Sequence, residues 1–153
     1  MANNNTLLTG IERDEYIAQR FDEAKVKMTK IREDFVAWYD AKDEDTQALI
    51  DEISDRTYYI TDESEYDEFI NMLADYGIND ASEFEDAFDG EWEGFGERVY
   101  ANFSEELMDN CGYNIEPDFI RNCIDWVQVW YSALRYDYNT CEYNGNTYFF
   151  RNI

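Results

Sequence analysis

The fold of this chain depends on a stretch that is both acidic and amphipathic, DESEYDEFINMLADYG at residues 62–77. Its apolar side chains recur at i, i+3, i+4, i+7 and i+10, the spacing of one helix face: Tyr66, Phe69, Ile70, Leu73 and Tyr76. Gly77 then supplies a stop signal. A run of like charge is usually a disordered tail, but this one has an apolar face to bury. We therefore expect its carboxylates on the outer side of a folded helix.

The same arrangement continues along the acidic region. Ser82 and Glu85 fit a capping box that opens a short helix through Phe84 and Phe88. A second helix, ending near Gly112, carries one apolar face: Val99, Phe103, Leu107 and Met108. The pattern predicts a folded, acidic, helical middle.

The charge of the chain is concentrated in that middle. The protein has 36 acidic and 12 basic side chains, a net charge of −24, and 18% of its residues are aromatic, enough apolar surface to drive folding. Region 43–110 carries a net −21, whereas regions 1–42 and 111–153 carry −1 and −2. We predict three parts: an N-terminal long helix (1–42), an acidic helical region (43–110) and a C-terminal unit (111–153).

The N-terminal part is predicted to be one helix from Ile11 to Tyr39. Its apolar residues alternate steps of four and three, the a and d positions of three heptads: Ile17, Phe21, Ala24, Met28, Ile31, Phe35 and Trp38. This seam pairs either with a second copy or with the rest of the chain. Three heptads are marginal for a free-standing coiled coil, which favours packing within the chain. Residues 46–54 are predicted to form a further short helix.

The C-terminal part combines small helices with a hairpin. Pro117 suits the first turn of a short helix through Asn122, and Asp125 is the predicted N-cap of the next helix. That helix carries four apolar residues: Trp126, Val129, Trp130 and Leu134. Asn144-Gly145 between Tyr138–Tyr143 and Thr147–Arg151 predicts a two-residue type I′ hairpin. The fold class is therefore α+β, mostly α.

The residues give little support for catalysis. The chain has no histidine, and it lacks dinucleotide, P-loop, zinc-protease and nucleophile-elbow motifs. Calcium-loop alignments of residues 86–97 lack the required glutamate at the last ligand position. We expect no enzyme activity, cofactor or metal site, and three reduced, partly buried thiols: Cys111, Cys123 and Cys141.

The location is predicted from what the sequence does not contain. Residues 1–10 lack a signal-peptide pattern, and no apolar run approaches the length of a membrane span. Direct binding to nucleic acid or to anionic lipid is disfavoured by the net charge. We expect a protein of a bacterial host cytoplasm.

Fixed carboxylates can stand in for the phosphates of DNA. Simple solubility is the alternative, but it requires a net charge of only about 2–8 in a small domain. The candidate phosphate-mimicking residues are Asp62, Glu63, Glu65, Asp67, Glu68, Asp75, Asp80, Glu83, Glu85, Asp86, Asp89, Glu91, Glu93, Glu97, Glu105, Glu106 and Asp109. Trp92 and Phe95 are candidate aromatic anchors, with burial in the core as the alternative for each.

Part of the chain resembles a known family. Residues 66–151 are similar to the middle and C-terminal parts of the ArdA antirestriction proteins, most specifically in the run EPDFIRNCIDW at residues 116–126. The runs FDGEWE (88–93) and FSEEL (103–107) also resemble that family. The family's small N-terminal domain has no counterpart here, since the long helix stands in its place.

The resemblance implies a stoichiometric DNA mimic carried by a phage or mobile element. Its partner would be a type I restriction–modification methyltransferase and specificity complex, whose DNA-binding groove an elongated homodimer occupies. The alternative function is an acidic, non-enzymatic interaction module, or a chaperone-like partner of a basic phage protein.

Overall fold

The computed structural model describes residues 10–152 in two compact units, divided between Lys42 and Asp43. Most of the segment 1–10, for which no signal peptide is expected, lies outside the described residues. The first unit contains one helix, α1 (Gly10–Asp40), as predicted. None of its residues is buried, and the seam residues are exposed or, at Phe35 and Trp38, half-buried. The expectation that this seam packs within the chain stays a prediction.

The second unit alternates short helices with three strands, and its α+β, mostly helical class is confirmed. Its elements are α2 (Glu44–Arg56), α3 (Glu63–Asp75), α4 (Ala81–Ala87), β1 (Phe88–Glu93), α5 (Glu97–Asn110), α6 (Asp118–Asn122), α7 (Trp126–Ser132), a 3-10 turn (Leu134–Tyr136), β2 (Tyr138–Tyr143) and β3 (Asn146–Arg151).

The strands form one antiparallel sheet in the order β1-β3-β2. The predicted hairpin is confirmed: Asn144 and Gly145 have φ of 49° and 77°, the positive values that a type I′ turn requires at both positions. Strand β1 was not predicted from the sequence. It pairs with β3, so the sheet joins the acidic middle to the C-terminal segment.

The sheet is covered on both faces by aromatic packing on β3. On one face, Phe149 stacks on Phe103 of α5 with centroids 3.9 Å apart and meets Trp130 of α7 edge-on at 5.4 Å. On the other face, Tyr148 contacts Phe69 of α3, with 4.7 Å between ring centroids. Residues 146–150 of β3 are all buried, as expected for a central strand with helices on both sides.

Two details of α4 differ from the sequence prediction. Its N-cap is Asp80, whose side chain accepts from the backbone N–H of Glu83 at 2.8 Å, and not Ser82. The helix also ends at Ala87, because Phe88 takes an extended conformation and begins β1. The capping signal was therefore correct in kind and two residues too late.

Candidate partner-binding surface

All 17 candidate carboxylates lie in the second unit, on α3, α4, β1 and α5 or on their N-caps. At least ten of them accept hydrogen bonds or form ion pairs inside that unit: Asp62, Glu65, Glu68, Asp80, Glu83, Glu85, Asp89, Glu91, Glu105 and Asp109. These contacts restrict the positions of the charges, so part of the acidic surface is built into the fold.

Helix caps hold one group of carboxylates. Asp62 accepts from the backbone N–H of Glu65 at 2.9 Å, and the Glu65 carboxylate accepts in return from the N–H groups of Thr61 and Asp62. Asp80 and Glu83 repeat the arrangement at α4, where Glu83 accepts from the N–H of Asn79 at 2.7 Å. Acids at these positions also face the positive ends of their helix dipoles.

The first strand holds a second group. Glu91 accepts from the backbone N–H of Tyr58 at 2.7 Å and of Tyr59 at 3.2 Å, which ties the α2–α3 loop to β1. Asp89 lies at a shift of register between β1 and β3, the kind of irregularity that re-aims a side chain. Its carboxylate accepts from the Tyr138 hydroxyl at 2.8 Å and pairs with Arg151 at 3.2 Å. Burial and the bond to Asp89 raise the pKa of Tyr138 to about 12.

The hairpin is attached to α3 by the third group. The Tyr143 hydroxyl donates to Glu68 at 2.6 Å, and the Asn144 amide donates to Glu65 at 3.2 Å. Burial, followed by the bond to Glu68, raises the pKa of the Tyr143 hydroxyl. These bonds set the acidic face of α3 relative to the hairpin.

Arg121 connects α6 to the acidic face of α5. Its guanidinium forms two 2.6 Å hydrogen bonds with the two carboxylate oxygens of Asp109 and a third, at 2.9 Å, with Glu105. These bonds lower the pKa of the Asp109 carboxyl and raise that of the guanidinium. Planar two-point pairing of this kind is specific to arginine. Helix α6 therefore positions two of the candidate carboxylates through Arg121.

The other seven candidates differ in exposure. Asp75, Asp86, Glu93, Glu97 and Glu106 are exposed, whereas Glu63 and Asp67 are half-buried. A cavity of about 240 Å³ between β1 and α5 has three carboxylates in its lining, those of Asp89, Glu91 and Glu106.

The candidate set omitted acids that the structure places on α2. Glu44, Asp45 and Asp55 are exposed there, while Leu49, Ile50 and Ile53 on the same helix are buried. The sequence did contain a signal for them. The helical spacing of Leu49, Ile50 and Ile53 predicts one buried face, so the acids on the rest of this helix are expected to be exposed.

The two candidate aromatic anchors have different surroundings. Trp92 is half-buried and packs against the core cluster that contains Phe103, Trp130 and Phe149. Phe95, in the loop before α5, is 68% exposed. Exposure makes Phe95 the better placed of the two to contact a partner.

The described residues include no candidate metal cluster, and their three cysteines differ in exposure. Among residues 10–152, no three His, Cys, Asp or Glu side chains are arranged to hold a metal ion. Cys111 and Cys123 are exposed, contrary to the expected partial burial, and Cys141 is buried with a pKa raised to about 11 by that burial. No helix in this range combines the length and apolar character needed to cross a bilayer.

No family model matches the chain, and neither curated proteins nor solved structures give a significant match. A functional interpretation therefore depends on the charges and contacts of the chain itself.

Proposed function

We propose that this protein is a DNA mimic that inhibits a bacterial defence enzyme by occupying its DNA-binding groove. The proposed target is the methyltransferase and specificity complex of a type I restriction–modification enzyme, encountered in the host cytoplasm. Inhibition would require occupancy and no catalysis. The proposed inhibitor is a homodimer carried by a phage or mobile element.

The observation that carries this proposal is a large negative charge on a folded scaffold. The second unit has 28 acidic and five basic side chains. Duplex DNA carries one charge per ~1.7 Å, so the charge of one chain corresponds to about 40 Å of duplex, and a homodimer would double it. Three of the five arginines in this unit, Arg56, Arg121 and Arg151, form ion pairs that fix neighbouring carboxylates.

Fixed carboxylates favour mimicry over general acidity for a physical reason. A partner that binds flexible acids must also order them. Helix caps have already ordered Glu65 and Glu83, and bonds to other elements have ordered Asp89 and Glu91. A groove lined with lysine and arginine would attract such a surface over a long range. The protein would then displace the DNA from that groove.

The direct test is competition for DNA. A labelled duplex carrying the recognition sequence is bound to a purified type I methyltransferase complex, and anisotropy is followed as the protein is added at several salt concentrations. We expect displacement at stoichiometric protein, with an apparent affinity that falls steeply as salt rises.

A charge-neutralised variant distinguishes the proposed surface from bulk acidity. It replaces four exposed carboxylates of the second unit: Asp75→Asn, Asp86→Asn, Glu97→Gln and Glu106→Gln. The matched control removes four exposed charges from α1: Glu15→Gln, Asp22→Asn, Glu33→Gln and Asp40→Asn. Exposed pairs contribute about 0.2–1 kcal/mol each, so the first variant should bind roughly thirtyfold more weakly. The control should stay close to wild type.

Two results would contradict the proposal. One is a methyltransferase complex whose DNA binding is unaffected by excess protein. The other is equal weakening in the two variants, which would assign the effect to net charge alone. Recovery of only basic virion or packaging proteins from infected cells would instead support the alternative of an acidic interaction module.

A further inference from the structure

The apolar seam of α1 is an unburied feature that the proposed function does not use. Phe21 and Met28, at the a positions, are 75% and 71% exposed, and Ile17 and Ile31, at d positions, are also exposed. With Ala24 they form a strip about 20 Å long at 1.5 Å per residue. Such a strip is narrow, because it is confined to the a and d positions of the heptad.

The positions beside this seam are basic. Between residues 13 and 39 there are eight residues at the e and g positions of the heptad. Five of these residues are arginine or lysine, and one, Asp34, is acidic. The basic ones are Arg13, Arg20, Lys25, Lys27 and Arg32. The acids of α1 lie instead mostly at the outer b, c and f positions, including Glu15, Asp22, Glu23 and Glu33. The helix thus presents a positively charged rim around its apolar seam, within a chain of strongly negative charge.

Pairing with a second copy is disfavoured by this rim. In a parallel pair, g of one helix faces e of the next heptad on the other, which places Arg20 against Lys25 and Lys27 against Arg32. In the full-length antiparallel register, Lys25 faces its own copy and so does Lys27, and only Arg20 meets an opposite charge, at Asp34. Like charges at these positions oppose association and set partner choice.

An anionic lipid surface is a poorer match than a helix. Helices that lie on membranes have a broad apolar face and a strongly basic polar face, whereas α1 has a narrow seam and an acidic outer face. The net charge of −24 would also repel the protein from such a surface.

We propose that α1 binds an amphipathic helix of another protein whose own a/d seam is flanked by glutamate or aspartate. The partner's apolar side chains would cover Ile17, Phe21, Ala24, Met28 and Ile31. Its acidic e and g residues would pair with the basic rim. The contacts beside the seam would then be attractive, whereas a second copy of α1 would place like charges there. The protein would then have two binding surfaces of opposite charge.

Three synthetic helices test this. Each has about four heptads with Ile at a and Leu at d, and they differ only at e and g, which are all Glu, all Gln or all Lys. Binding of each labelled peptide to the intact protein is measured by anisotropy at low and high salt. We expect the Glu peptide to bind at least about tenfold more tightly than the Gln peptide, with high salt reducing the difference. The Lys peptide should bind most weakly.

Variants of α1 assign the effect to the seam and its rim. Reversing the rim should reverse the preference, so that the Lys peptide binds best: Arg20→Glu, Lys25→Glu, Lys27→Glu and Arg32→Glu. The matched control reverses four outer charges and should keep the wild-type preference: Glu15→Lys, Asp22→Lys, Glu23→Lys and Glu33→Lys. Phe21→Asp with Met28→Asp should abolish binding of all three peptides. Circular dichroism checks that each variant stays helical.

Three outcomes would overturn the proposal. The first is equal binding of the three peptides by the wild-type protein. The second is an oligomer, measured by light scattering, that dissociates when Phe21→Asp and Met28→Asp are introduced, because the occupant would then be a second copy. The third is seam-dependent binding to phosphatidylglycerol vesicles with none to the Glu peptide.

Discussion

Phe149 is the residue whose truncation tests the layered core most directly. It lies on the central strand and is fully buried. Its ring stacks on Phe103 at 3.9 Å, meets Trp130 edge-on at 5.4 Å and approaches Tyr100 edge-on at 6.2 Å. One side chain therefore joins β3 to both α5 and α7.

The expected cost of Phe149→Ala follows from those contacts. Lost burial of the ring is worth ~2–3 kcal/mol. A residual cavity of roughly 80 Å³, at about 24 cal/mol per Å³, adds ~2 kcal/mol. The total of ~4–5 kcal/mol is close to the whole stability of a marginal domain. We therefore expect the variant to be largely unfolded or to unfold at much lower urea.

Urea denaturation followed by circular dichroism and tryptophan fluorescence measures this cost. Phe119→Ala is the control, because Phe119 is 68% exposed and its truncation should change the free energy of unfolding by no more than ~0.5 kcal/mol. A cost below about 1 kcal/mol for Phe149→Ala, with an unchanged slope in urea, would refute the packing of α5 and α7 on β3.

Three further predictions concern individual polar contacts. Asp80→Ala should destabilise the protein by ~1 kcal/mol in urea while Ser82→Ala changes little, because Asp80 caps α4; the reverse order would restore Ser82 as the cap. Arg121→Lys should raise the pKa of the Asp109 carboxyl in an NMR titration, because lysine cannot make the two-point pair. An unchanged pKa would contradict the pairing of Arg121 with Asp109. The folded-state pKa of Tyr138 is raised to about 12, so its contribution to stability should be complete below pH ~10 and lost between about 10 and 12. Tyr138→Phe should reduce that alkaline loss in urea midpoints, and an identical pH profile would contradict the assignment.

Periodicity and turn chemistry account for most of the correct sequence predictions. The long helix, the helix at residues 63–75 and the Asn144-Gly145 hairpin all depend on contacts between residues close in sequence. Such signals can be recognised without knowing the tertiary structure.

The missed strand had a different cause. FDGEWE at residues 88–93 contains glycine and three acids, which are poor strand formers, and its alternation is weak. Its strand conformation is stabilised by pairing with β3, more than 50 residues later, and by Glu91 binding the backbone of Tyr58 and Tyr59. Those interactions are tertiary, so local propensity does not reveal them.

The amount of charge, its concentration in residues 43–110 and the helical period of the acidic segments can all be read from the sequence alone. Beyond the helix caps, the fixed carboxylates depend on tertiary contacts, because Asp89, Glu68 and Glu105 find their partners 12 or more residues away, on other elements. The same holds for the two aromatic candidates, whose burial depends on whether a neighbouring helix covers them. Trp92 meets the core beneath α5, and Phe95, a few residues on, does not.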